Sequence, residues 1–415
     1  MKTDINTKGL GELKISDFSY NLPDERIAKY PLPERDQSKL LLYKDGEVEG
    51  LRFYNLESLI PSNSLMLFNN TRVIHARLYF QKPTGATIEI FCLTPFSPEE
   101  YQENFNQRER VVWSCMVGNA RRWKDDVLRM DVDLGCELLV LSAKKVEQKG
   151  GEFLVEFSWD NPRWTFAELL EELGELPIPP YLNRDTEVDD DVTYQTVYSS
   201  TDGSVAAPTA GLHFMPRTFE TLRKKGVRCE HLTLHVGAGT FRPVKDAQIV
   251  KHSMHTEYIS FAIETIEALL AHSGPVITVG TTSLRAVESL YFIGVKIKEN
   301  PDLTLSSLKV TQWEPYEKDI EVTRQEALEA VLTYMRKMNI KEIFAETQIM
   351  IVPGYDFRFP DALITNFHQP ESTLLLLMAA FAGEDWKSIY RFALDNDYRF
   401  LSYGDSSLIW RKNKS

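Results

Sequence analysis

Five of the eight histidines fall between His213 and His255, most of them in blocks that also carry glycines and hydroxyls. The blocks are Ala207-Pro-Thr-Ala-Gly-Leu-His-Phe214, Thr233-Leu-His-Val-Gly-Ala-Gly-Thr-Phe241 and His252-Ser-Met-His-Thr-Glu257, and a sixth histidine stands in Thr365-Asn-Phe-His-Gln-Pro-Glu-Ser-Thr373. Imidazole exchanges protons near neutral pH, and glycine lets backbone N–H groups approach a ligand closely. Such blocks suit a reaction chamber better than a core. A further block, Gly280-Thr-Thr-Ser-Leu-Arg285, sets three hydroxyls and free N–H groups where a helix should begin, a seat for a carboxylate or phosphate that Arg285 would reinforce.

These residues need elements to hold them. Beyond Ser204 the chain repeats apolar strand, glycine-containing polar loop and amphipathic helix. Residues 204–207 lead into the 208–214 loop and a helix with Pro216 near its start and Gly226 past its end. Residues 227–236 alternate, with Leu232, Leu234 and Val236 on one face and His231, Thr233 and His235 on the other. Strands are expected at 275–279, 348–352 and 363–367, the first running into a helix over 284–291 and the last into one that Ser372 caps and Gly383 ends. The unusual residues thus fall at the carboxyl ends of strands, where α/β proteins gather ligands.

Earlier in the chain the pattern differs. Short β-branched and aromatic runs at 87–93, 111–117, 137–141 and 153–157 predict a mostly antiparallel β domain. The stretch 168–174 reads as a short helix stopped by Gly174, followed by a proline-rich linker. Ala327, Leu328, Val331, Leu332 and Met335 have helical spacing, which predicts a surface helix packed on the body.

Composition bounds the rest. At 415 residues, with 43% hydrophobic and 26% charged residues, the chain is expected to form two or three globular domains. No apolar stretch near Met1 suits a signal peptide, and the longest apolar run, 374–382, is far short of the roughly 20 residues that span a bilayer. Cys92, Cys115, Cys136 and Cys229 lack C-x-x-C spacing and predict free thiols in a reducing, cytoplasmic setting. A net charge of −13 argues against non-specific nucleic-acid binding, yet leaves room for local basic patches at Arg121-Arg122-Trp123-Lys124 and Arg223-Lys224-Lys225. His252, His255 and Glu257 have metal-ligand residue types, but neither a helix nor a strand would bring all three together, so no metal is expected. Gly237-Ala-Gly-Thr-Phe-Arg242 starts like a dinucleotide fingerprint but has Arg242 in place of the third glycine and Pro243 after it; it reads as a tight loop carrying backbone amides to a ligand.

Taken together, the blocks closely resemble the S-adenosylmethionine:tRNA ribosyltransferase-isomerase family of queuosine biosynthesis. The resemblance rests on Phe18-Ser-Tyr-Asn-Leu-Pro23, Arg35-Asp-Gln-Ser-Lys-Leu40, Phe68-Asn-Asn-Thr-Arg-Val73, Leu173-Gly-Glu-Leu-Pro-Ile-Pro-Pro-Tyr181 and Tyr194-Gln-Thr-Val-Tyr198, on the histidine blocks above, and on Ser402-Tyr-Gly-Asp405. These run in order along nearly the whole chain. The departures are His75 for a usual proline, Gln369 for a usual leucine, and a longer segment over 315–346.

The resemblance implies an α/β fold: a discontinuous, barrel-like body (1–60 and 153–415) with an inserted antiparallel β-barrel (61–152). It implies transfer of the ribosyl part of S-adenosylmethionine to the aminomethyl group of a 7-deazaguanine at the tRNA wobble position, rearrangement to an epoxycyclopentane, and release of adenine and methionine. S-adenosylmethionine is then consumed as substrate with no separate cofactor, the partner is the tRNA anticodon arm, and a monomer is expected. A sulfonium acidifies its neighbouring C–H bonds, so a base could take a ribose 5′ proton. His213 or His235 is the expected base, with Glu257 or His368 orienting it or protonating adenine. Phe214, Phe241 or Tyr355 could face the sulfonium. Thr281, Thr282 and Arg285 are expected on the methionine carboxylate and Asn366 and Thr209 on a base edge. Gly211, Gly237, Gly239 and Thr240 would supply close backbone. The competing readings are an RNA methyltransferase and a catalytically silent RNA-binding module.

Overall fold

A computed structural model describes residues 13–124, 126–133, 137–237, 248–317 and 320–412. The body is built on one ten-stranded mixed sheet, in the order Lys309–Val310, Glu342–Thr347, Glu257–Ala262, Arg228–His235, Leu65–Asn69, Val276–Val279, Ala362–Asn366, Ser406–Trp410, Lys39–Lys44, Glu47–Arg52. The four strands from Arg228–His235 to Ala362–Asn366 are mutually parallel, so their carboxyl ends share one edge. Leu65–Asn69, Val276–Val279 and Ala362–Asn366 are buried along their whole length, as a parallel sheet covered on both faces requires.

The second sheet has six antiparallel strands, Arg77–Gln81, Thr87–Ser97, Arg110–Gly118, Glu152–Trp159, Leu138–Lys149 and Leu128–Asp133 in spatial order. It curls so that its two edge strands approach one another, a nearly closed barrel around Trp113, Trp123 and Phe157. The architecture is therefore α/β with a barrel-like antiparallel sheet, as expected. The strand Leu65–Asn69 lies at the centre of the large sheet and Glu152–Trp159 inside the small one. The insertion expected over 61–152 would have put the first in the small sheet and nearly all of the second in the body; only pairing decides which sheet each joins.

The helix Gly280–Glu299 is longer than the expected 284–291 and is buried from Gly280 through Val295 except at Thr282. Its middle is close-packed: a Cβ at Gly294 would stand 2.4 Å from the Ala327 carbonyl of the amphipathic helix Arg324–Met338. Ser372 caps Thr373–Ala382 by accepting from the Leu375 N–H, and Gly383 ends it. Phe166–Leu173 stops at Gly174, and Pro216–Lys224 lies just before Gly226. One expectation fails. Residues 348–352 form no strand; the ladder stops at Thr347, and the buried segment beyond it pairs irregularly, with the Met350 N–H donating to the Gln312 carbonyl. A buried apolar run looks the same in sequence whether or not a neighbour lies in register. Cys92 and Cys115, buried on adjacent barrel strands, are unbridged thiols. Among the described residues no helix is long and apolar enough to cross a membrane.

Candidate active site

Three of the four parallel strands run directly into one cleft. Val236 and Gly237 follow Arg228–His235, Gly280, Thr281 and Thr282 follow Val276–Val279, and Phe367 and His368 follow Ala362–Asn366. Gly280 turns the chain from strand to helix at φ +88°, a left-handed conformation that a side chain would strain. The cleft encloses about 950 Å³ of atom-free space including its open mouth. An adjoining cavity shares Thr281 and Thr282 with it and is lined by Gly237, His255, Glu257 and Arg285.

Arg285 and Glu257 form a buried ion pair through Nη1 and Oε2. The Arg285 Nε also donates to the Ile349 carbonyl at 3.3 Å, while Nη2 and the Thr282 hydroxyl are buried without a partner among the described residues. The guanidinium is thus pre-set by its carboxylate, with donor capacity left beside the cleft. Glu257, expected as acid or orienter, is the partner of Arg285. His252 and His255 line the same cavity as Glu257, since the coil before Glu257–Ala262 folds back where a helix or strand would not. Among the described residues no three His, Cys, Asp or Glu side chains are grouped to hold a metal.

His368 is buried on the cleft wall, its Nε2 3.1 Å from the Thr365 hydroxyl. Its N–H donates to the Tyr390 hydroxyl at 3.0 Å, its carbonyl accepts from Tyr20, and burial pushes its pKa down to about 3. Asn366 points its Oδ1, buried and without a partner among the described residues, from the same strand end; its Nδ2 donates to the Leu401 carbonyl at 3.1 Å. Thr209 also lines the cleft.

Other expected residues lie elsewhere. His213 sits behind Asn366, stacked on Phe53 with centroids 5.1 Å apart, facing a small side cavity that meets the cleft at Ser402. His235 stacks on Tyr101 at 4.1 Å, against the barrel, and burial pushes its pKa down to about 4. The strand's alternation, which keeps Leu234 in the core, turns His235 that way. Gly211 is a packing glycine, because a Cβ there would stand 1.9 Å from the Tyr198 hydroxyl. Phe214 is enclosed by Phe53, Phe68 and Phe219, and Tyr355 donates to Glu288 at 2.6 Å, so neither ring lines the cleft. Gly239, Thr240 and Phe241 lie outside the described residues. Tyr181, Tyr194 and Ser402 also line the cleft; the sequence marked their blocks only through the resemblance, without a role for these side chains.

The family model described as queuosine biosynthesis protein matches residues 15–409. A curated relative from Halothermothrix orenii, named S-adenosylmethionine:tRNA ribosyltransferase-isomerase, is 36% identical over 404 residues, covering 96% of this chain and 100% of that one. A solved structure of S-adenosylmethionine tRNA ribosyltransferase from Thermotoga maritima is 27% identical, covering 95% of this chain and 100% of that one, with a TM-score of 0.46. A match over almost the whole chain, together with this level of identity to a relative of the same length, shows that the chain belongs to the queuosine biosynthesis family of S-adenosylmethionine:tRNA ribosyltransferase-isomerases.

Proposed function

We propose that the protein transfers the ribosyl moiety of S-adenosylmethionine onto 7-aminomethyl-7-deazaguanine at the tRNA wobble position and isomerises it, giving epoxyqueuosine-tRNA, adenine and methionine. S-adenosylmethionine is a consumed substrate, no separate cofactor takes part, and the enzyme works as a cytoplasmic monomer. The observation that carries this reading is a cleft at the carboxyl ends of parallel strands whose buried polar atoms lack partners among the described residues: Thr282 Oγ1, Arg285 Nη2 and Asn366 Oδ1. A buried polar atom without a partner costs about 1–3 kcal/mol, so such atoms gathered at one cleft favour a polar ligand.

The donors and the acceptor divide the substrates between them. Arg285 and the Thr281 and Thr282 hydroxyls, at the N-terminus of a 20-residue helix, hold the methionine carboxylate. Asn366, an acceptor at Oδ1, takes an N–H on a base edge, and Thr209 contacts the same base. His368 is the imidazole of the cleft and handles the proton taken from the ribose or given to adenine. Burial keeps its ring neutral at pH 7.

Incubation with S-adenosylmethionine and tRNA carrying the precursor base, followed by mass spectrometry of small products, tests the reading. Adenine plus methionine is expected. S-adenosylhomocysteine would turn the assignment to a methyltransferase, which family membership does not favour, and no product would leave only RNA binding.

A further inference from the structure

After Arg110–Gly118 the chain turns through Asn119, whose side-chain amide donates to the Thr87 carbonyl at 3.0 Å, into the short turn Ala120–Arg122. Trp123 then enters the barrel core, 1% exposed, its indole N–H donating to the Asp126 carbonyl at 2.8 Å. The buried ring anchors the turn, and Arg121, Arg122 and Lys124 on either side of it are exposed. Two more cations are fixed to the same backbone. Lys82 Nζ donates to the Arg122 carbonyl at 2.9 Å, and Lys145 Nζ donates to the Trp123 carbonyl while lying 5.3 Å from the indole centroid.

Five cations therefore surround one rigid turn. The carboxylate described there, Asp126, is 2.8 Å from Lys82; Asp125 lies outside the described residues. Arg121, Arg122 and Lys124 have no ion-pair partner among the described residues, on a chain whose net charge is −13. A protein this acidic repels a polyanion at long range, so RNA must be gripped by a local basic surface.

The turn is also within reach of the cleft. The strand Arg77–Gln81 starts where Arg77 and Glu175 exchange backbone hydrogen bonds of 3.2 and 2.9 Å, six residues before the cleft residue Tyr181. Lys82 follows that strand's last residue. Five strand residues span roughly 17 Å at ~3.3 Å each, and the six-residue step from Glu175 to Tyr181 adds at most roughly 20 Å, which puts the turn and the cleft on the scale of one duplex turn of roughly 34 Å.

We infer that the 120–124 turn is a phosphate-contact surface that grips the backbone of the RNA substrate outside the cleft. The inference rests on the reading of the cleft as a tRNA-modifying site. Trp123, being buried, is not available to stack on a base, so the contact is sequence-independent and electrostatic.

The test compares the full-length enzyme with its R121A/R122A/K124A variant, measuring tRNA Kd against KCl concentration, KM for S-adenosylmethionine, and kcat at saturating tRNA. Expected are a tenfold or greater rise in tRNA Kd at 100 mM KCl, a log–log salt slope shallower by about 2 to 3 (~0.7–0.9 per phosphate contact), and kcat and the other KM within twofold. Circular dichroism confirms that the variant folds, and R121E/R122E should deepen the loss. Unchanged Kd and slope in a folded variant overturn the inference while leaving the catalytic reading intact. A wild-type enzyme that binds tRNA but releases no adenine overturns the catalytic reading instead, and one that binds no tRNA overturns both.

Discussion

His213 Nε2 stands 3.3 Å from Asn366 Nδ2, and the other ring nitrogen of His213 is 2.8 Å from the Ser38 hydroxyl. Burial, aided by the nearby Arg399 and Arg35 charges, pushes the His213 pKa down to about 3, so the ring is neutral. A neutral ring accepting from Asn366 at Nε2 and donating to Ser38 at Nδ1 satisfies both contacts, and it fixes the Asn366 carboxamide with Oδ1 free. In the proposed reaction His213 would position Asn366 rather than serve as the base.

His213→Ala should then lower kcat/KM about tenfold, the equivalent of one buried hydrogen bond of about 1.4 kcal/mol, without altering the shape of the pH–rate profile. Loss of a titrating limb in that profile would restore His213 as the base. His368→Ala should abolish adenine release with affinity for S-adenosylmethionine changed only a few-fold; undiminished turnover removes His368 from the chemistry.

The Arg285–Glu257 pair should separate stability from binding. Arg285→Ala leaves the Glu257 carboxylate buried and alone, so denaturant unfolding should report a loss of about 3–5 kcal/mol. The double variant Arg285→Met/Glu257→Gln should regain part of that stability while its KM for S-adenosylmethionine stays raised by tenfold or more. Recovery of both would make the pair structural only.

Gly211→Ala should lower Tm by driving a methyl group into the Tyr198 hydroxyl, and Tyr198→Phe should recover part of the loss by removing that oxygen. If Gly211 instead served the substrate, the single variant would raise KM at unchanged Tm.

Stability should fall as pH drops from 6.5 toward 5. His213, His235 and His368 have pKa values of about 3, 4 and 3 against 6.5 when unfolded, so below 6.5 the unfolded chain takes up protons that the folded one does not. Glu288 opposes them. Burial lifts its carboxyl from 4.5 to about 7, a contribution fully present below 4.5 and lost as pH rises through 7. Three histidines against one glutamate leave an excess of about two protons on the unfolded chain near pH 5.5, each worth about 1.4 kcal/mol per pH unit. Urea midpoints from pH 5 to 7 should show the fall, and Glu288→Gln should steepen it; a flat profile rejects the burial of these rings.

The amino-acid sequence by itself determined the local structure. The 2-residue period of Leu232 and Leu234, the Ser372 cap, the Gly174 and Gly383 stops and the helical stripe on Arg324–Met338 depend on neighbours within a few residues, and all appear as expected. The glycine and hydroxyl runs likewise marked the strand ends that meet at the cleft. Tertiary structure decided what each marked residue touches. His213, His235 and His368 look alike in sequence, yet one braces Asn366, one stacks on Tyr101, and one reaches the cleft. Which sheet Leu65–Asn69 joins, and which carboxylate Arg285 meets, depend on residues far away in the chain, so no local pattern could encode them.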